Sequence, residues 1–314
     1  MLSSLDRTAR SGRFVRVRTH VRRWTSVSGV SPDTASSGLV LVVSYDGTDF
    51  HGFAENVGVR TVGGVLRSAV QAVLGRPVEI TCAGRTDAGV HAAGQVVSVR
   101  WDELTGSGSG LAGSGPVDTE RLRKSLISML GPEVVVRSVA VPPEGFDARF
   151  SAIGRTYRYV LWNHADPDPF EARTAWWVPE PLDVEAMQAA GDSLVGEHDF
   201  TTFCRRPKGE VEVSLIRRVE YVRWIRPDWM SNHPDYEPGA DGADQIPSRR
   251  LIMEISASAF CHQMVRSIVG LLVEVGRGRR TVDDVANALR SRDRSHLPTL
   301  APPSGLTLWR VHYA

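Results

Sequence analysis

The densest group of chemically reactive side chains lies in the segment Ala83-Gly84-Arg85-Thr86-Asp87-Ala88-Gly89-Val90-His91-Ala92. Small residues surround Arg85 and Asp87, so a substrate can approach the backbone closely. Asp87 is the one carboxylate of the segment, and a cation two residues away favours its use as a nucleophile. The alternative from composition alone is a β-turn in which Asp87 bonds its own backbone.

Two histidines accompany this segment in the sequence. His91 follows Asp87 by four residues, but no third ligand of suitable type is near, so a hydrogen-bonding role is favoured over a metal site. His262 is predicted to begin an apolar helix, where its roles are packing or contact with a phosphate, because helix N-termini attract anions. We therefore predict no metal site.

Aromatic and basic residues are interleaved in the second half of the chain. Tyr157 and Tyr159 lie two apart on a predicted strand, so their rings point to one face and can either stack on a base or pack in the core. Arg205 and Arg206 follow the segment Phe200–Cys204. This pattern indicates an RNA-binding surface, and an ordinary solvated face is the alternative.

The sequence lacks the motifs that are typical of several function classes. The chain has no phosphate-binding P-loop, no Gly-x-Gly-x-x-Gly after a strand and no His-Glu-x-x-His, so we predict no cofactor. No apolar run is long enough to span a membrane, and residues 1–23 lack the apolar core of a secretory signal, which predicts a cytoplasmic protein. The three cysteines, Cys82, Cys204 and Cys261, are far apart, and we expect all of them to be reduced.

The apolar patterns predict a β-α-β-β-α-β order in the first half and a similar mixture in the second. The predicted elements of the first half are Leu39–Tyr45, a helix capped by Thr61 and stopped at Gly75, Val78–Cys82, Val96–Trp101, Asp118–Met129 and Val134–Val141. Those of the second half are Arg155–Trp162, a helix from Asp183 to Leu194, a strand pair across Val211–Ile225, Leu251–Ser256, helices over His262–Val275 and Thr281–Arg290, and Leu306–Val311.

These elements predict an α+β protein of two similar α/β halves, with a central antiparallel sheet flanked by helices and a cleft between the halves. Residues 1–38 carry seven arginines against two aspartates and are predicted to be a disordered basic arm. Residues 39–150 form the predicted N-terminal half with the reactive segment. Residues 151–314 form the C-terminal half, with an acidic, proline-containing loop inserted at 227–249.

Six ordered motifs resemble the tRNA pseudouridine synthase A family over about residues 39–314. They are Tyr45-Asp46-Gly47-Thr48, Thr61-Val62, the segment Cys82–His91, Phe146–Ala152 with Arg155-Thr156-Tyr157-Arg158-Tyr159, His198–Phe203, and Phe260–Gly270. The string Gly-Arg-Thr-Asp-Ala-Gly-Val-His is highly specific to that family.

The resemblance implies an RNA-binding, homodimeric isomerase of the pseudouridine synthase fold that converts uridine to pseudouridine at positions 38 to 40 of the tRNA anticodon stem-loop without a cofactor. By motif, Asp87 is the catalytic aspartate, Arg85 helps to extrude the target base and Tyr157 stacks on it. Asp87 either attacks the sugar or takes a proton from it. The substrate-binding residues that we predict are Tyr157, Arg155, His91, Phe203, Arg205, His262 and Arg266.

One loop departs from the family pattern. Members usually carry Gly-Trp-Gln-x-Gln where this chain has Gly52-Phe53-Ala54-Glu55-Asn56. The loss of one Trp and two Gln side chains removes possible RNA contacts. The alternative function is therefore a tRNA-binding protein with the same scaffold and weak or no catalysis.

Overall fold

A computed structural model describes residues 38–101, 116–206, 214–227 and 249–314. In these ranges ten strands form one mixed sheet that is mostly antiparallel and carries five α-helices. The basic arm, apart from Gly38, lies outside the described residues, and so does most of the acidic 227–249 loop. The expected fold class is confirmed, and the division of the chain at residue 150 stays a prediction.

The first half follows the predicted order. Its elements are β1 (Gly38–Tyr45), α1 (Val62–Leu74), β2 (Glu79–Cys82), β3 (His91–Arg100), α2 (Thr119–Leu130) and β4 (Val134–Ala140). Strand β1 pairs antiparallel with both β3 and β4, and β2 pairs with β3. The loop between β2 and β3 is the reactive segment.

The second half adds two short strands that the apolar pattern did not predict. Its elements are β5 (Ala152–Asn163), β6 (Trp176–Val178), α3 (Val184–Asp192), β7 (Gly196–Asp199), β8 (Ile216–Ile225), β9 (Arg250–Ala257), α4 (Met264–Gly276), α5 (Val282–Ser291) and β10 (Leu306–Tyr313). The sheet order is β4-β1-β3-β10-β5-β9-β8-β7, and the contacts of β10 with β3 and of β6 with β5 are parallel.

Local capping chemistry explains where the helices begin. The Thr61 hydroxyl accepts the Gly64 N–H at 3.2 Å, and Asp118 and Asp183 cap α2 and α3 in the same way. Helix α1 ends at Gly75, whose φ of 69° is in the left-handed region that favours glycine. Each of these caps is a short-range signal; the sequence predicted the cap at Thr61 and the stop at Gly75 and did not predict the cap at Asp118.

Two predictions for the second half are wrong. The described part of 211–225 is one strand, β8, whose partners are the short β7 and the later β9, so no strand pair lies within it. The last apolar helix begins at Met264 instead of His262, because Gln263 has a φ of 65° and a right-handed helix cannot include it. His262 therefore lies in the loop before α4.

One face of the sheet is the core. Val43 on β1 is opposite Gln95 on β3, and Tyr45 is opposite Ala92, so β3 carries an irregularity between those two pairs. Because residues paired across two strands point to the same face, Gln95 lies on the buried face with Val43. No helix of the described ranges is long and apolar enough to cross a membrane.

Candidate active site

Asp87 lies in the loop between β2 and β3, beside the loop that precedes α4. Its carboxylate is 29% exposed; Oδ1 lies 3.4 Å from His262 Nε2 and Oδ2 lies 3.7 Å from Arg266 Nη1. The N-terminal half supplies the carboxylate, and the C-terminal half supplies both nitrogen groups. An accessible carboxylate with a guanidinium at ion-pair distance is a suitable centre for nucleophilic or base chemistry.

Arg266 is held from behind by the backbone. Its Nε–H donates to the carbonyl oxygen of Ala301 at 2.7 Å, and its side chain is only 13% exposed. Burial lowers the pKa of this guanidinium, and the charge of Asp87 opposes that shift. The guanidinium therefore depends on Asp87 to offset the cost of its burial.

Tyr157 lies on β5, next to this loop. A Cβ built on Gly84 would lie 3.8 Å from the Tyr157 hydroxyl, so the ring tip reaches the backbone of the reactive segment. The ring is 7% exposed, and Phe260 packs edge-on against it at 5.0 Å. Burial raises the pKa of the phenol, and the charge of Asp87 raises it further, so the hydroxyl stays protonated. Arg85, by contrast, is exposed.

Arg155 directs its guanidinium to the protein backbone. It donates to the carbonyl oxygens of Ala83 at 2.8 Å, Ser258 at 3.1 Å, Arg149 at 3.2 Å and Ala152 at 3.3 Å. Burial lowers the pKa of Arg155. These carbonyl groups use the N–H donors of Arg155, so its side chain fixes the start of the reactive segment. The guanidinium is therefore directed to the protein backbone and not to the position predicted for substrate.

His91 is buried, and both of its ring nitrogens bond to the protein. Nδ1 accepts the Gly47 N–H at 3.0 Å and lies 3.1 Å from Asp46 Oδ1, and Nε2 lies 3.0 Å from the carbonyl oxygen of Ser304. A ring that accepts the Gly47 N–H at Nδ1 can donate from Nε2 to the Ser304 carbonyl oxygen. His91 thus joins β3 to the turn after β1 and to the residues before β10, which fits the hydrogen-bonding alternative and leaves no nitrogen for substrate.

The segment Phe203–Arg205 lies beside the loop that contains His262. Phe203 is fully buried and packs against Phe200, so the protein core occupies its ring. The Arg205 side chain is exposed, and its backbone N–H donates to the carbonyl oxygen of His262 at 2.9 Å. Of these two predicted substrate contacts, Arg205 alone presents its side chain to solvent.

Sequence reasoning did not identify Arg294, which joins the same two loops. Its guanidinium donates to the carbonyl oxygen of Phe203 at 3.2 Å and to Gln263 Oε1 at 2.9 Å. Burial lowers the pKa of Arg294, and the nearby charges of Arg205 and Arg266 lower it further. The guanidinium groups of Arg205, Arg266 and Arg294 are thus close enough to affect one another, and nothing in the local sequence around Arg294 indicates this.

The expectation of three reduced cysteines is wrong for two of them. A disulfide joins Cys204 to Cys261, with Cα atoms 5.6 Å apart, and Cys82 is free. The partners are 57 residues apart, so their spacing gave no sign of the pairing. The fold places the chain after Thr201–Phe203 against the loop before α4. Burial raises the pKa of the Cys82 thiol to about 11, which disfavours the reactive thiolate.

Within the described ranges, no three His, Cys, Asp or Glu side chains form a group that could hold a metal ion.

Comparison with known proteins gives a consistent result. A family model described as tRNA pseudouridine synthase matches residues 41–151 and 190–314, which is more than half of the chain. A protein of Frankia casuarinae called tRNA pseudouridine synthase A is 39% identical over 279 residues, covering 88% of this chain and 89% of the relative. A relative with the same name in Mycobacterium leprae is 38% identical, over 88% of this chain and 89% of the relative. Another in Bartonella tribocorum is 35% identical, over 87% of this chain and 98% of the relative.

Proposed function

The chain belongs to the tRNA pseudouridine synthase family, and we propose that this isomerase acts on uridines at positions 38 to 40 of the tRNA anticodon stem-loop, with Asp87 as the nucleophile or base. One observation supports this above the others. The Asp87 carboxylate is partly open to solvent between His262 at 3.4 Å and Arg266 at 3.7 Å.

The reaction rearranges bonds within one nucleotide. The bond from C1′ of the ribose to N1 of uracil breaks, the uracil turns, and a bond from C1′ to C5 forms. The proton on C5 is lost and N1 gains one, so no group or electron is exchanged with a cofactor. Asp87 either bonds to the sugar carbon or removes a proton from the sugar, and both routes require a carboxylate that can reach the ribose.

A stacked uridine must leave its helix before Asp87 can reach the sugar. Flipping a base costs a few kcal/mol. Arg85 is exposed two residues from Asp87, which suits it to fill the gap that the base leaves. Tyr157 reaches Gly84 with its ring tip, and we propose that its ring supports the detached uracil.

The basic side chains of the C-terminal half are suited to bind the RNA backbone. Arg205 is exposed, and His262 is 43% exposed beside Asp87. Arg266 and Arg294 are partly buried, and they add positive charge to the same region. Positive groups that neutralise phosphates supply most of the sequence-independent affinity for nucleic acid.

The test is pseudouridine mapping of a tRNA anticodon stem-loop treated with wild-type protein or with Asp87→Asn. We expect pseudouridine at positions 38 to 40 with the wild type, and a turnover roughly 10⁴-fold lower with Asp87→Asn, the scale seen when a nucleophile is removed. The affinity of Asp87→Asn for tRNA should stay within about tenfold, because phosphate contacts supply most of it.

The matched control is Asp118→Asn. Asp118 caps α2, and Asn is an equally good N-cap, so neither turnover nor stability should change. Substantial turnover by Asp87→Asn would remove Asp87 from its role. If the wild type binds tRNA and forms no pseudouridine, the binding-protein alternative is correct.

We also propose that the enzyme is a cytoplasmic homodimer, as the resemblance implies. The sheet face opposite the core carries Trp309, which is 37% exposed with the Arg158 guanidinium 3.8 Å from its ring centroid. A partner subunit packed on this face would cover the exposed part of the Trp309 ring. Light scattering should give twice the chain mass of 34.4 kDa, and the chain mass itself would contradict the dimer.

A further inference from the structure

A buried glutamine contacts the backbone of the reactive loop from inside the sheet. We infer that Gln95 is a positioning residue for Asp87: its side-chain amide holds the backbone of Gly84, and Tyr45 assists it by holding Thr86. This inference rests on the proposed function, because it assigns Gln95 a role in the same reaction. Gln95 itself does not touch the carboxylate.

The side-chain amide of Gln95 is bonded to both backbone groups of one residue. Its Nε2 donates to the carbonyl oxygen of Gly84 at 2.6 Å, and its Oε1 accepts the Gly84 N–H at 3.3 Å. Such a two-point contact holds both peptide groups that flank Gly84, because the N–H belongs to the peptide before this residue and the C=O to the peptide after it. Gln95 is fully buried, so water does not compete for these bonds.

A second buried side chain fixes the loop two residues later. The Tyr45 hydroxyl lies 2.8 Å from Thr86 Oγ1 and 3.5 Å from Gln95 Nε2. The carbonyl oxygen of Thr86 also accepts the N–H of Phe53 at 3.1 Å. The chain is therefore held at Gly84 and at Thr86, and Asp87 follows immediately.

The surroundings of Gln95 argue that the loop is the reason for its polarity. Gln95 is opposite Val43 on the buried face, next to fully buried residues such as Val97. An apolar side chain would suit this position without the cost of burying an amide. The Gln95 amide bonds to Gly84 and to the Tyr45 hydroxyl, so its hydrogen bonds hold the loop and the tyrosine that supports it.

The loop needs such support because its own sequence is permissive. Gly84 has no side chain, and Gly89 has a φ of 76°, which most other residues avoid. A displacement of about 1 Å in a catalytic group can cost on the order of a hundredfold in rate. Hydrogen bonds from the rigid sheet to Gly84 and Thr86 limit such displacements of Asp87.

The experiment compares Gln95→Met with Gln71→Met in the full chain. Methionine has nearly the shape of glutamine and lacks the amide. Gln71 in helix α1 is a matched control, because its Oε1 also accepts a backbone N–H. The donor is Val78, at 3.2 Å. The two readouts are the single-turnover rate of pseudouridine formation with its tRNA dissociation constant, and amide hydrogen exchange over residues 83–87.

With Gln95→Met we expect the single-turnover rate to fall by about thirtyfold or more, with the tRNA dissociation constant within about threefold of wild type. Exchange over residues 83–87 should become faster. With Gln71→Met, rate and exchange should match the wild type. A Gln95→Met rate within about twofold of wild type, or an equal loss in Gln71→Met, would overturn the inference.

Tyr45→Phe keeps the inference testable if Gln95→Met does not fold. It removes one hydroxyl and should lower the single-turnover rate by about fivefold, the effect of one ordinary hydrogen bond; an unchanged rate would overturn the inference in that case. If the wild type forms no pseudouridine, the proposed function fails. Hydrogen exchange then decides separately whether Gln95 holds the loop, and unchanged exchange over 83–87 would refute that.

Discussion

Replacing Arg266 with glutamine tests the electrostatic part of the site. Two unit charges about 4 Å apart attract by about 4 kcal/mol at the effective dielectric constant of a protein surface. Arg266 Nη1 lies 3.7 Å from Asp87 Oδ2, and burial disfavours the charged guanidinium, so part of this attraction is offset. We take about 2 kcal/mol as the net contribution to the organised site, which corresponds to about thirtyfold in rate.

The assay for Arg266→Gln is the single-turnover rate at saturating enzyme, in the wild-type and in the Asp87→Asn background. We expect a loss of about thirtyfold in the first and almost none in the second, because the interaction needs both partners. Arg277→Gln is the matched control: Arg277 is similarly buried and pairs with Glu180 at 2.9 Å. Equal losses in both backgrounds would refute the reasoning, as would a loss of the same size in Arg277→Gln.

Two further predictions concern other groups. Arg205→Gln removes an exposed arginine that we expect to neutralise a phosphate, so the slope of log affinity for tRNA against log salt should fall by about one. The control Arg279→Gln should keep the wild-type slope. A wild-type slope in Arg205→Gln would exclude the phosphate contact. Burial and the charge of Arg310 lower the pKa of His312 below its ordinary 6.5. The unfolded chain therefore binds more protons than the folded chain at acidic pH. The unfolding free energy of the wild type should fall as the pH drops below about 6.5. Urea titrations at about pH 8 and about pH 5 should show a smaller loss in His312→Gln, and parallel curves would contradict this.

The parts of the fold that the sequence predicted are those that depend on neighbours in the chain. The cap at Thr61 and the stop at Gly75 act within one helical turn, and alternating burial along β1 needs only the strand itself. The sheet order was not predictable in this way. Strand β10 comes last in the chain and inserts between β3 and β5, and nothing in its own residues specifies those partners.

In the candidate site too, local features of the sequence were predictable and features set by the fold were not. Asp87 and Tyr157 belong to contiguous motifs, so the sequence alone was enough to propose them, and their roles stay a prediction. The structure directs the side chains of His91 and Arg155 to protein groups, although both residue types bind RNA in other settings. Arg294 and Gln95 escaped notice because their importance comes from what the fold places beside them, which is Gln263 in one case and Gly84 in the other.

Under the function that we propose, both halves of the chain contribute charged groups to the site. The N-terminal half supplies Asp87, and the C-terminal half supplies Arg266, His262 and the exposed Arg205. A carboxylate alone would repel the phosphates on either side of the target uridine, and guanidinium groups alone would bind RNA without a reacting group. Because Arg266 bonds to Ala301 while facing Asp87, the carboxylate and the cationic groups are fixed relative to each other by the protein. Binding of the RNA backbone can therefore bring the ribose to a carboxylate that is already in place.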